Sequence, residues 1–136
     1  METLQLPADG ASLWAGMSDI ELVTPDYRHH IALHYCGEPP HGDSNHLIQI
    51  DGVRAPGYAW GCHFACTANS RFLAMSWMEK RIERKTAVFD LEERRYFVLP
   101  FYMGNFRFQW PRLEGVEPSP EGRYYEFNGA ENWHAY

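Results

Sequence analysis

The side chains able to do chemistry are concentrated in one stretch. Six of the seven histidines and all three cysteines fall between residues 29 and 66: His29, His30, His34, Cys36, His41, His46, Cys62, His63 and Cys66. Thiolate and imidazole are the ligands that zinc takes, so this is where a metal site would be assembled. If residues 27–35 form a strand, His30 and His34 share a face and Cys36 continues it. A site built from His34, Cys36, Cys62 and Cys66 is then conceivable, provided the two segments pair. The spacing argues the other way. Cys62-x-x-x-Cys66 is not the close C-x-x-C knuckle, and on a strand His63 points to the opposite face from Cys62. The simpler expectation is that Cys62 and Cys66 are small buried hydrophobes, that the histidines line a loop, and that no metal or cofactor is held. Three cysteines without a secretory signal in METLQLPADG fit reduced thiols in a cytoplasmic protein.

Motifs for other chemistries are missing. The sequence holds no G-x-S-x-G elbow, no G-x-x-x-x-G-K-[ST] phosphate loop, no H-E-x-x-H zinc helix and no G-x-G-x-x-G fingerprint. Glu92 and Glu93 adjoin Arg94 and Arg95, which reads as a solvated turn and not as an acid and base pair. The expectation is a binding protein, not an enzyme.

Composition narrows what such a protein binds. A net charge of -6 excludes a generic nucleic-acid binder, whose phosphate contacts need a basic surface. No apolar run reaches the roughly 20 residues that span a bilayer, which argues against a membrane partner. The charge is uneven. Residues 1–70 hold eight acidic and two basic side chains, residues 71–112 hold five acidic and nine basic, and residues 113–136 hold five Glu and Arg123 alone. Acidic ends of -6 and -4 thus flank a centre of +4.

The elements that must position these groups read as strands. Residues 71–77 alternate, with Leu73, Met75 and Trp77 on one side, the period of a half-buried strand. TAVF, a polar turn at 90–94 and YFVL complete a three-stranded meander, with residues 79–85 as a protruding hairpin tip. An earlier stretch repeats the design about 40 residues upstream. Ile31, Leu33 and Tyr35 have the spacing of Leu73, Met75 and Trp77, and HLIQID parallels TAVFD. NFRFQW and RYYEF add strands near the end. With 136 residues, the chain is expected to be one all-β domain over 1–136: two or three antiparallel meanders, with repeat units at about 22–58 and 64–100, packed as a sandwich or open barrel.

The block NSRFLAMSW to FDLEERRYFVLP resembles a blade of a WD-type or Kelch-type propeller, although a closed propeller needs at least four blades and this length holds about three units. The longer text NSRFLAMSWMEKRIERKTAVFDLEERRYFVLP is similar to the immunity proteins that bacteria encode beside polymorphic toxins of contact-dependent or type VI secretion systems. That resemblance implies a cytoplasmic inhibitor used in bacterial competition, whose partner is a cognate protein toxin with a basic active-site face. An acidic patch of Glu38, His41, Asp43 and Asp51 would meet that face. Trp133 and Tyr136, in the tail ENWHAY, are the aromatic residues expected to be free for a partner or for a terminal docking contact. Two other classes compete: an adaptor domain that takes a peptide on an exposed strand edge, and a metal-binding module using the His and Cys cluster.

Overall fold

Alternation predicts strands, and strands are what form. The computed structural model describes residues 2–37, 45–79, 83–117 and 122–136, and among them are thirteen strands and no helix. The first meander comprises β3 (Ile20–Val23), β4 (His30–Gly37) and β5 (Asn45–Ile50), preceded by β1 (Glu2–Gln5) and β2 (Leu13–Trp14). A long strand, β6 (Val53–Cys66), leads into the second meander of β7 (Phe72–Met78), β8 (Lys85–Asp90) and β9 (Arg95–Val98). The third comprises β10 (Phe106–Gln109), β11 (Arg112–Gly115) and β12 (Tyr124–Glu126), and β13 (His134–Ala135) ends the chain. The first two meanders merge into one sheet of order β1-β3-β4-β5-β6-β7-β8-β9-β13, with β2 beside β6; the third stands apart as β10-β11-β12. Pairing is antiparallel except between β1 and β3.

The large sheet curls on itself. Laid flat, β4 and β8 would lie four strand spacings apart, about 19 Å. Instead the turn between β3 and β4 grips the turns beyond it: Arg28 Nη1 donates to Glu92 Oε1 at 3.0 Å, Arg28 Nη2 to the Asn69 carbonyl at 2.8 Å, and the Asp26 N–H to Ser70 Oγ at 3.1 Å. The result is an open barrel. Its interior is one apolar cluster that draws Leu22, Ile31, Leu33 and Ile48 from the first meander and Leu73, Met75, Trp77 and Phe89 from the second.

Strand β7 corrects one expectation. All seven of its residues are buried, where alternation predicted a half-buried strand. Leu73, Met75 and Trp77 face the barrel interior, while Phe72 and Ala74 on the other face are covered by Phe106, Phe108, Leu113 and Phe127 of the third meander and its flank. The fold is therefore an open barrel with a small sheet packed on its outside.

Strand β6 has no counterpart in the sequence reading, because Pro56, Gly57 and Gly61 interrupt its text. Here they are used. Its register against β5 shifts between Leu47 and Gln49, and the detour presents the Pro56 carbonyl to Trp77 Nε1–H at 2.9 Å. Gly57 has φ 74°, and a Cβ there would lie 2.4 Å from the Trp77 indole. Only glycine leaves room for that ring. β7 and β8 pair as the expected hairpin, with Trp77 opposite Lys85; residues 80–82 of its tip lie outside the described residues. Among the described residues no helix is long and apolar enough to cross a membrane.

Candidate functional site

The structure scatters the His and Cys set. Cys66 is buried at the barrel end that holds Asp26, and burial together with that negative charge pushes its thiol up to about 12. Cys36 is exposed near the far end of β4, six residues beyond His30, or roughly 20 Å along the strand. His34 shares β4 with Cys36, β5 separates that strand from β6, and Cys62 sits buried in β6 where its register against β7 shifts. Among the described residues no group of three or more His, Cys, Asp or Glu side chains could hold a metal ion.

The acidic patch fares unevenly. Glu38, His41 and Asp43 lie outside the described residues. Asp51 opens the tight β5–β6 turn with φ 51°, followed by Gly52 at φ 82°, the Asp-Gly pattern of a type I′ hairpin. Its carboxylate serves the fold: Oδ2 lies 2.7 Å from His29 Nδ1, and Oδ1 accepts the His30 N–H at 2.9 Å. Tyr136 takes the terminal docking role and is not a free anchor. Its N–H donates to the Arg94 carbonyl at 3.2 Å, its ring packs against Phe89 and Tyr96, and burial pushes its phenol up to about 12.

Trp133 leads to a site that the sequence reading missed. Its ring belongs to an array on the outside of the barrel, with Phe72 of β7, Phe127 after β12 and Trp110 after β10. Phe72 and Trp110 stack with centroids 4.4 Å apart and planes 7° from parallel; Trp110 and Phe127 stack at 5.0 Å and 23°, Phe127 and Trp133 at 6.2 Å and 22°. Phe72 and Phe127 each contact both tryptophans, Phe72 meeting Trp133 at 5.9 Å with the planes tilted by 31°. Offset stacking of this kind contributes about 0.5–1.5 kcal/mol per pair beyond the area it buries. The array is fixed before any partner arrives.

Charge around the array is organised by Asp90, whose side chain is fully buried. Arg71 reaches it with Nε and Nη2 at 3.1 and 3.0 Å, Arg95 with Nε at 2.9 Å, and the Glu92 and Glu93 N–H groups close the other side at 3.2 Å each. Burial alone would raise the Asp90 carboxyl, but the hydrogen bonds from Arg71 and Arg95 outweigh it and hold the group below the ordinary carboxylate range. The same two arginines cover rings of the array, Arg71 over Phe72 at 5.1 Å and Arg95 over Trp133 at 4.7 Å. Glu131 is tied down as well, by Tyr125 Oη–H at 2.7 Å and the Asn128 and Gly129 N–H groups at 2.9 and 3.0 Å.

Trp110 is the exception to this compensation. It is 48% exposed, and it divides two clefts. One, of about 340 Å³, lies over Phe72, Phe127 and Trp133 with Arg95 and Glu131 at its rim. The other, of about 360 Å³, is lined by Ala8, Asp9, Gly10, Thr67, Ala68, Phe108, Gln109 and Trp110. In sequence Trp110 continues the alternation of Phe106 and Phe108, which assigns it to the buried face. β10 stops at Gln109, however, and the chain turns through Trp110 and Pro111, so the ring stands at the rim. The dipeptide Trp-Pro after an alternating strand was the available signal. No family model, no curated protein and no solved structure matches this chain, so its own geometry carries the functional argument.

Proposed function

We propose that this chain is a cytoplasmic immunity protein, a non-catalytic domain that binds a cognate bacterial toxin and covers its basic active-site face. One observation carries the reading: Trp110 holds nearly half of its surface in water while its ring is locked on Phe72 and Phe127. A large aromatic ring already immobilised loses little conformational entropy on docking, and buried Trp and Tyr anchors dominate binding energy at protein interfaces. Trp133 belongs to this anchor as the inner layer of the array, whereas Tyr136 supports the barrel. The net charge of -6 supports a basic protein partner over nucleic acid, since complementary potentials raise association rates and select partners.

The test is co-purification of the chain with the product of the adjacent gene. The reading expects a stoichiometric complex that survives gel filtration and loss of the toxin's activity within it. Absence of any complex would contradict it.

A further inference from the structure

The chain shows how it prefers to finish an aromatic surface. Among the described residues six arginines sit over rings: Arg54 over Tyr58, Arg71 over Phe72, Arg84 over Trp60, Arg95 over Trp133, Arg112 over Tyr124 and Arg123 over Phe101, with guanidinium carbons 4.3 to 5.6 Å from the centroids. Trp110 has Phe72 and Phe127 stacked on it, and no arginine of the described residues covers it. Beside it lies the 360 Å³ cleft, where Asp9 is the sole charged residue among those lining the wall. Asp9 is exposed, and its Oδ1 accepts the Ala11 N–H at 3.0 Å, which fixes the carboxylate and leaves Oδ2 free of any hydrogen bond among the described residues.

The floor of the cleft is rigid. Gly10, with φ 84°, gives its carbonyl to the Phe108 N–H at 2.8 Å, and a Cβ on Gly10 would meet the Phe108 carbonyl oxygen at 2.2 Å. The segment that carries Asp9 is therefore clamped onto β10, one residue pair away from Trp110. Thr67 and Ala68, from the turn between β6 and β7, close the opposite wall. A π-face, a fixed carboxylate and a slot open to solvent are the three things a guanidinium needs: the ring attracts the planar cation, the carboxylate accepts its forked N–H groups, and the aliphatic stem lies against apolar wall.

We infer that the cleft between Asp9 and Trp110 receives an arginine side chain from the basic face of a protein partner. This rests on the protein-binding reading and adds its chemistry: the partner presents arginine, not lysine. An ammonium group is a compact, strongly hydrated charge without a plane to stack, so it uses the carboxylate and forgoes most of the ring.

The experiment uses the full chain labelled with 15N and three dodecapeptides that alternate glycine with arginine, lysine or citrulline. Citrulline keeps the plane and length of arginine and removes its charge. Indole N–H signals are assigned by substitution of each tryptophan with Phe. The inference expects the arginine peptide to shift the Trp110 indole and the amides of residues 8–10 and 67–68, with affinity falling about threefold to fivefold in Asp9→Asn, the range of one exposed ion pair. Asn at position 9 retains the acceptor for the Ala11 N–H, so this variant keeps the fold should Trp110→Ala loosen the array. The lysine peptide is expected to bind more weakly and citrulline not to register. Equal responses to arginine and lysine, or an unchanged affinity in Asp9→Asn, would overturn the inference, as would the same shifts produced by single-stranded oligo(dT). The two readings fail separately. Arginine-peptide binding at the cleft without a toxin complex removes the immunity function and keeps the site. A toxin complex indifferent to both Asp9→Asn and Trp110→Ala removes the site and keeps the function.

Discussion

Asp90→Asn isolates the group that organises the aromatic array. The wild-type carboxylate is fully buried and receives hydrogen bonds from Arg71, Arg95 and two backbone N–H groups. Removing one member of a buried ion pair costs about 3–5 kcal/mol when the remaining charge cannot reach water. Here the side chains of Arg71 and Arg95 keep 32% and 35% of their exposure, so both can rehydrate in part, which lowers the expected loss to about 2–3 kcal/mol. In a domain of this length that corresponds to a melting temperature lower by roughly 5–10 °C. Urea unfolding followed by tryptophan fluorescence at pH 7 measures it. The pH dependence gives the signature. The folded carboxyl is held below its unfolded value of about 3.9, so its stabilisation is complete above that pH and is lost as pH falls through the folded pKa. The gap between wild type and Asp90→Asn therefore narrows as the pH drops below about 4. Released from Asp90, Arg95 also loses its fixed place over Trp133, and the near-ultraviolet circular dichroism of the array should weaken. A loss under about 0.5 kcal/mol at pH 7, or a gap independent of pH, would refute the assigned role.

Three further outcomes test the fold. Gly57→Ala combines a strained positive φ with a Cβ inside the Trp77 indole, and thermal melting should report at least about 2 kcal/mol of destabilisation. Tyr136→Phe removes a hydroxyl that is buried without a hydrogen-bond partner among the described residues and should change stability by less than about 0.5 kcal/mol, whereas Tyr136→Ala removes the ring that packs on Phe89 and Tyr96 and should cost about 2–3 kcal/mol by urea unfolding. Under native conditions a chromogenic disulfide should titrate Cys36 alone, with the buried Cys62 and Cys66 reacting only on unfolding; rapid modification of all three would show that the barrel interior is open.

Local periodicity made much of the architecture legible. The alternation of Leu73, Met75 and Trp77, and of Phe106 and Phe108, places β7 and β10, the polar tetrad TANS marks the start of β7, and Gly104 and Pro111 bracket β10. What alternation cannot report is a second layer. Phe72 and Ala74 read as the outer face of a half-exposed strand because nothing local to residues 71–77 shows that Phe106, Leu113 and Phe127 cover them. β6 was hidden for a different reason: Pro56 and Gly57 are breakers in isolation, and their fit to the strand depends on Trp77, twenty residues away in the chain. The site was least legible. Trp133 stands out in the sequence only by its place in the tail, and the array that gives it meaning draws on rings at 72, 110 and 127, which share no sequence pattern. Charge alone marks Asp51 as a partner-binding residue, but an Asp-Gly turn whose carboxylate also meets His29 Nδ1 and the His30 N–H uses that charge internally. The acidic end and the aromatic signal were both real features of composition; where they meet, at Asp9 and Trp110, is a product of the clamp between Gly10 and β10.

The central claim is that Trp110 anchors a protein partner, and titration calorimetry of the product of the adjacent gene into wild-type chain and into Trp110→Ala tests it most directly. The account predicts a one-to-one complex with the wild type, and a loss of at least about 2 kcal/mol of binding free energy, roughly thirtyfold in Kd, in a variant whose strand content is unchanged. No heat of binding with the wild type, or equal affinity for the two chains, would contradict it.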